Sequence, residues 1–167
     1  SETLAQALTA VATADIMIFI SPNATEHGLS ALRQAGLVLP SGVPVLAMGP
    51  GTAAKLQESG IIATAISKAP FNSETLMELN ILAAPAGKIV VIFCGEGGRE
   101  WLSDSLKDRG ARVIPVSCYR RSLPPAPDPR VIAYWQDHGI DILTLTSIEA
   151  AENLWILLKD RSKRWLR

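Results

Sequence analysis

Residues 14–32 read ADIMIFISPNATEHGLSAL, and residues 140–158 read IDILTLTSIEAAENLWILL. In each stretch an aspartate precedes a short run of β-forming residues, which leads through a serine into a segment of helical composition. A constant offset of 126 positions aligns Asp15 with Asp141 and Ser21 with Ser147. The pattern therefore predicts a duplicated strand-to-helix unit, and so two related α/β regions in one chain.

The chain up to Arg121 alternates between short β-branched runs and longer stretches with helical spacing. Such alternation predicts a doubly wound parallel sheet covered by helices on both faces. The predicted strands lie near 16–20, 43–48, 62–67, 88–94 and 112–119. The predicted helices lie at 24–35, 52–59, 73–83 and 98–109.

A proline-rich segment, RSLPPAPDP at 121–129, predicts an extended linker after the fifth strand. We expect a complete domain at 1–120 and part of a second domain at 130–167. In the second region the sequence predicts a short helix from 130, a strand at 141–147 and a longer helix from 148. One strand and two helices cannot bury themselves, so we expect these residues to be the central portion of a longer two-domain protein.

The composition excludes several classes of partner. Sixteen Lys and Arg balance 16 Asp and Glu, so no basic field favours a nucleic acid or an anionic membrane. Apolar runs are too short to span a bilayer, and the residues after Ser1 do not resemble a signal peptide, so we expect a cytoplasmic protein. Cys94 and Cys118 fall in predicted strands, where free thiols behave as small buried hydrophobes, so we expect no disulfide. No metal is expected, because His27 and His138 have no ligand cluster at metal spacing and are predicted to be solvent-exposed.

Ligands of open parallel sheets bind beyond the carboxyl ends of the strands. Four rim segments fall there, and the first three open helices, whose unpaired N–H groups favour anions. The rim segments are Ser21–Asn23, Gly49–Thr52, Gly95–Arg99 and Tyr119–Arg121.

The residues alone leave simpler interpretations open. The glycines of GEGGRE can serve ordinary turns, and Thr52 can serve as a helix cap or first-turn residue. Tyr119 can be a half-buried packing residue at a strand end. The arginines at 99, 120 and 121 can be surface residues that pair with Glu96 and Glu100.

The ordered motifs of the chain together resemble the uroporphyrinogen-III synthase family, although no single one is specific. The resemblance covers nearly the whole chain. It implies two flavodoxin-like doubly wound domains, one complete and one partial here. The motifs are IFISPNA, AMGPGTAAKL, GKIVVIFCGEGGREWLSDSLKDRGARV, CYRR and LTLTSIEAAENL.

Membership of this family implies a monomeric lyase of tetrapyrrole biosynthesis that uses no cofactor. Its substrate would be hydroxymethylbilane, a linear tetrapyrrole with eight carboxylates. The reaction closes this chain to uroporphyrinogen III with inversion of the last ring and loss of water. Selectivity in such a reaction depends on how the substrate is folded, which is catalysis by positioning.

The resemblance also assigns roles to single residues. Tyr119 would be the general acid that assists loss of the hydroxyl group, while Ser21 and Thr52 would hold substrate carboxylates. Ser147 would do the same from the second domain, although Ile148 stands where the family commonly has proline. The full set of predicted substrate-binding residues is Ser21, Pro22, Asn23, Gly49, Gly51, Thr52, Gly95, Gly97, Arg99 and Ser147.

Two other functions use the same rim. A non-enzymatic two-domain module would bind an anionic small molecule there without any chemistry at Tyr119. A flavodoxin-type flavin carrier is disfavoured, because no aromatic pair brackets the rim loops.

Overall fold

The computed structural model describes residues 2–97, 100–123, 128–138, 140–145 and 147–158. The chain divides into two compact units, Ser1–Arg121 and Ser122–Arg167.

Strands and helices alternate through the first unit, as the sequence predicts. The strands are β1 (Ile16–Phe19), β2 (Val45–Ala47), β3 (Ala65–Ile66), β4 (Ile89–Gly95) and β5 (Arg112–Tyr119). The helices are α1 (Glu2–Thr9), α2 (Pro22–Gln34), α3 (Pro50–Glu58), α4 (Ser73–Met77) and α5 (Trp101–Asp108), with 3₁₀ turns at Ala10–Thr13 and Asn80–Leu82.

All five strands form one parallel sheet in the order β3-β2-β1-β4-β5. The predicted parallel α/β sheet is therefore confirmed for this unit. The flavodoxin order is 2-1-3-4-5, with one strand on one side of β1 and three on the other. Here two strands lie on each side, so the first unit departs from the expected flavodoxin-like order. The connection reverses direction between β1 and β4, and this is the topological switch point of the sheet.

Helices cover both faces of the sheet. Neighbouring side chains of a strand point to opposite faces, so the same strands contribute to two hydrophobic cores, one under each layer of helices. All four residues of β1 are buried, as expected of a central parallel strand. One face packs under α1, α2 and α3 and includes Met17, Phe19, Leu32, Leu56, Val91 and Phe93. The other face packs under α4 and α5 and includes Ile16, Ile18, Leu76, Val90, Leu102 and Leu106.

Two helical segments differ from the sequence prediction. The predicted helix at 73–83 is interrupted, because Leu79 is extended (φ −64°, ψ 130°) between α4 and the 3₁₀ turn that follows. Its start is well specified: Asn72 accepts a hydrogen bond from the Thr75 N–H at 2.9 Å and completes a capping box. Helix α1 was not predicted from the sequence.

The second unit contains α6 (Pro129–His138) and α7 (Ile148–Leu157). The strand predicted at 141–147 is wrong for the described residues, since 140–145 form neither strand nor helix. A strand needs a hydrogen-bonded neighbour, and Ile142 is instead 83% exposed. The part of the predicted last helix beyond 158 lies outside the described residues.

No helix within the described ranges is both long enough and apolar enough to cross a lipid bilayer.

Candidate active site

Three residues meet at the carboxyl edge of the sheet, at the switch point between β1 and β4. Ser21 follows β1, Gly95 ends β4 and Tyr119 ends β5. Ligands of open α/β sheets bind in the crevice at such a reversal of strand order. All three residues belong to rim segments predicted from the sequence, and the fold brings them together.

The Tyr119 ring lies across the end of β4 because Gly95 has no side chain. A methyl group placed on Gly95 would lie 2.7 Å from Tyr119 Cζ and 3.0 Å from its hydroxyl oxygen. Beyond Gly95, the Tyr119 hydroxyl lies 3.5 Å from Ser21 Oγ. The tyrosine therefore extends from β5 over β4 to the residue that follows β1.

A β-bulge at the end of β5 sets the direction of the Tyr119 side chain. Cys94 pairs with Ser117 but Gly95 pairs with Tyr119, so Cys118 is an extra residue in β5. Cys118 and Tyr119 consequently pack on the same face of the sheet, the face under α2. Bulges commonly redirect a side chain in this way. The Glu96 N–H then donates to the Tyr119 carbonyl at 2.8 Å and fixes the strand end.

Ser21 is the N-cap of α2. Its Oγ accepts a hydrogen bond from the Ala24 N–H at 3.0 Å, and its carbonyl accepts one from the Thr25 hydroxyl at 3.1 Å. A serine hydroxyl has one proton and two lone pairs. Capping uses one lone pair, so the proton and the second lone pair face Tyr119 or a ligand.

The start of α3 forms the neighbouring part of the rim. Gly49 is its N-cap at φ +140°, a conformation that side-chain-bearing residues rarely adopt. Gly51 is exposed, whereas Thr52 is a buried first-turn residue with 3% of its surface exposed. The first-turn N–H groups of Gly51 and Thr52 have no carbonyl partner within the helix.

Two residues outside the predicted catalytic and substrate-binding set lie against the Tyr119 ring, although Arg121 belongs to a predicted rim segment. The His27 imidazole stacks on it, with centroids 5.5 Å apart and planes at 27°. The Arg121 guanidinium carbon lies 6.0 Å from the ring centroid. His27 is exposed as predicted, but it is not isolated. No local pattern in the sequence signals this contact, because it joins α2 to β5, which lie far apart in the chain.

Three of the other predicted binding residues belong to the first unit and follow its strands at the carboxyl edge of the sheet. Pro22 and Asn23 are exposed in the first turn of α2, and Gly97 forms a turn after β4 at φ +71°. Arg99 lies outside the described residues. Ser147 belongs to the second unit, where its Oγ accepts a hydrogen bond from the Ala150 N–H at 3.0 Å.

Arg120 lies 4.0 Å from Glu96 in an exposed ion pair, one of the pairings that the sequence left open. Pairs at this distance in solvent contribute little to stability.

The two cysteines are free thiols on opposite faces of the sheet. Cys118 Sγ lies 3.3 Å from the Cys94 carbonyl oxygen and 3.5 Å from the Ala24 carbonyl oxygen, and its single proton can be donated to either. Burial, with a smaller effect of Cys94, raises the pKa of the Cys118 thiol to about 11. A protonated thiol is a poor nucleophile, so Cys118 serves packing. Within the part of the chain that the structure describes, no three His, Cys, Asp or Glu side chains cluster to hold a metal ion.

The whole chain matches one known protein family. The family model of uroporphyrinogen-III synthase HemD matches residues 1–167. The chain belongs to the uroporphyrinogen-III synthase family.

Relatives support this assignment along the sequence. The chain is 30% identical over 155 residues to uroporphyrinogen-III synthase of Escherichia coli K12, covering 93% of this chain and 63% of that protein. It is 30% identical over 165 residues to the Salmonella typhimurium enzyme, covering 99% of this chain and 65% of that protein. The chain thus spans just under two thirds of these relatives.

Solved structures support the same fold. A mutant uroporphyrinogen III synthase of Thermus thermophilus superposes with a TM-score of 0.65 at 22% identity, over 97% of this chain and 65% of that one. The wild-type Thermus thermophilus enzyme superposes with a TM-score of 0.61 at 25% identity, over 95% and 63%. For a uroporphyrinogen-III synthase family member, the Tyr119 centre at the switch point is the natural candidate for the active site.

Proposed function

We propose that the full-length protein is a uroporphyrinogen-III synthase, which closes hydroxymethylbilane to uroporphyrinogen III with inversion of the last ring and loss of water. The observation that carries this proposal is the Tyr119 hydroxyl, placed over Gly95 and 3.5 Å from Ser21 Oγ at the switch point of a chain of this family. The proposed reaction needs a proton donor and a shaped surface, and no cofactor.

Tyr119 acts in this proposal as the general acid. A phenol carries a proton at neutral pH and can donate it to a departing hydroxyl group. Loss of water leaves an electron-poor methylene carbon on the first ring, and the substituted α-carbon of the last ring attacks it to give a spiro intermediate. The bond from that α-carbon to its original bridge carbon then breaks and re-forms at the other α-carbon of the same ring, which loses its proton. Ser21 supports the acid, because its free hydroxyl proton or lone pair can bond the Tyr119 oxygen before and after proton transfer.

The substrate carboxylates are proposed to bind the helix starts around Tyr119. Both α2 and α3 direct first-turn N–H groups to this edge of the sheet, where the helix dipole favours negative charge. Several such contacts would hold a flexible chain in the one fold that gives the inverted ring. The residues proposed to bind the substrate are, in the first unit, Ser21, Pro22, Asn23, Gly49, Gly51, Thr52, Gly95, Gly97 and Arg99, and, in the second unit, Ser147.

The organisation of the full protein is also proposed here. We expect the second unit to be part of a second doubly wound α/β domain, since Ser147 caps α7 just as Ser21 caps α2. We further propose a cytoplasmic monomer with a small-molecule substrate and no nucleic-acid or membrane partner.

The test is to supply the full-length protein with hydroxymethylbilane, oxidise the products and separate the isomers. Formation of isomer III faster than spontaneous closure to isomer I supports the proposal. Isomer I alone, at the rate of the buffer control, would contradict it. If the protein then still binds the substrate, the non-enzymatic binding module is the better account.

A further inference from the structure

Tyr119 alone cannot keep its hydroxyl in place. It ends β5, and its side chain is half-buried, so rotation about the Cα–Cβ bond would carry the phenol away from Ser21. Gly95 supports the ring from the sheet side. A second contact is needed to hold the ring against that support.

The exposed imidazole of His27 supplies this contact. Its centroid lies 5.5 Å from that of Tyr119, with planes 27° apart, which is within the range of offset aromatic stacking. His27 contacts the ring, while the hydroxyl contact is made by Ser21. Ser21 caps the helix α2 that carries His27, so one rigid element fixes the ring plane and the oxygen position together.

We propose that His27 is a positioning residue for Tyr119, holding the phenol ring over Gly95 by stacking, with Arg121 as a cationic neighbour of the same ring. This inference rests on the proposed synthase function. In this role His27 acts through the face of its ring. A mispositioned general acid slows the chemical step while leaving the binding of the substrate carboxylates intact.

The kinetic test compares variants of the full-length protein with hydroxymethylbilane as substrate. His27→Ala should lower kcat about five- to tenfold with KM within about twofold, because stacking is lost and binding is not. His27→Phe keeps a flat ring and should retain at least about half of the parental kcat. Gln34→Ala, an exposed change two turns along the same helix, should leave both constants at the parental values. A parental kcat in His27→Ala, or equal losses in His27→Ala and His27→Phe, would overturn the proposal.

A spectroscopic test separates this inference from the proposed function. In full-length protein with ¹³C-labelled tyrosine, the NMR signals that vanish in Tyr119→Phe belong to Tyr119. His27→Ala should move these signals through loss of the imidazole ring current, and His27→Phe should leave them displaced in the parental direction. Unmoved signals in His27→Ala show that the stacking is absent and overturn the inference. If the signals move but the parent makes no isomer III, the proposed function fails and the positioning role falls with it.

Discussion

At the scale of single residues, the missing side chain of Gly95 decides where the Tyr119 ring lies. A methyl group on Gly95 would lie 2.7 Å from Tyr119 Cζ, closer than two non-bonded carbon atoms approach, so Gly95→Ala must displace the ring. We expect kcat to fall about 10- to 100-fold, as for other displacements of a catalytic group by about 1 Å. The free energy of unfolding should fall by about 1–3 kcal/mol. Steady-state kinetics and urea unfolding of the full-length protein measure the two effects.

Gly110→Ala is the matched control for that change. Gly110 lies just before β5, where the amino ends of the strands are, and so at the opposite end of the strands from Tyr119. Its φ is +82°. Alanine in this left-handed conformation should cost about 1–2 kcal/mol of stability. Its kcat should nevertheless stay parental. If Gly95→Ala keeps full activity, or if both variants lose activity equally, the displacement of Tyr119 is not the cause.

Cys118 gives a prediction about pH. Burial raises the pKa of its thiol from 9.0 to about 11. Between these two pH values the folded protein keeps the thiol proton, whereas the unfolded chain loses it. The stabilising effect of the buried neutral thiol is complete below about pH 9 and declines as the pH rises through about 11. The urea midpoint should therefore fall less between pH 8.5 and 10.5 in Cys118→Ala than in the parent. Equal declines would show that Cys118 titrates alike in both states.

At the scale of secondary-structure elements, the repeat seen in the sequence is a repeated helix cap. Ser21 has φ −161° and ψ 162°, and Ser147 has φ −156° and ψ 158°. Each Oγ accepts from the N–H three residues later at 3.0 Å. Local chemistry fixes this corner, since serine N-caps need only their own helix. That is why the corner persists in the second unit although the strand predicted before it does not form in 140–145.

Ser21 has a capping role and a contact with Tyr119, and two substitutions separate them. Ser21→Ala removes the cap and should lower stability by about 1 kcal/mol, which is about 2–4 °C in Tm. Ser21→Asn keeps a capping oxygen and should retain the parental Tm. Both variants lose the hydroxyl beside Tyr119, so both should lose activity. Full activity in Ser21→Asn would limit Ser21 to its structural role.

How much of the structure can be predicted from the sequence depends on whether an interaction is local or joins distant segments of the chain. The five strands and the starts of α2 and α3 depend on hydrophobic patterning and local caps, so the sequence predicted them within a few residues. The bulge at Cys118 depends on how β5 pairs with β4, and no local pattern reveals that register. For the same reason the stacking of His27 on Tyr119, which joins α2 to β5, was missed.

At the scale of the whole molecule, strand order creates the site. β1 and β4 are neighbours in the sheet although residues 20–88 lie between them in the chain. Tyr119 therefore reaches over the end of β4 to Ser21, which follows β1. Sequence placed the rim loops at the carboxyl edge, but the observed order β3-β2-β1-β4-β5 differs from the flavodoxin order that the resemblance implied. The chain spans just under two thirds of its Escherichia coli relative, so activity is proposed for the full-length protein.

The central claim is that the Tyr119 hydroxyl donates the proton that releases water from hydroxymethylbilane. The most direct measurement is the initial rate of isomer III formation by full-length Tyr119→Phe, with Tyr134→Phe as control, since Tyr134 is 60% exposed in the other unit. We predict a rate about 100-fold or more below the parental value for Tyr119→Phe, in line with loss of a general acid, with parental Tm and a parental rate for Tyr134→Phe. Isomer III formed at the parental rate by Tyr119→Phe would contradict the claim.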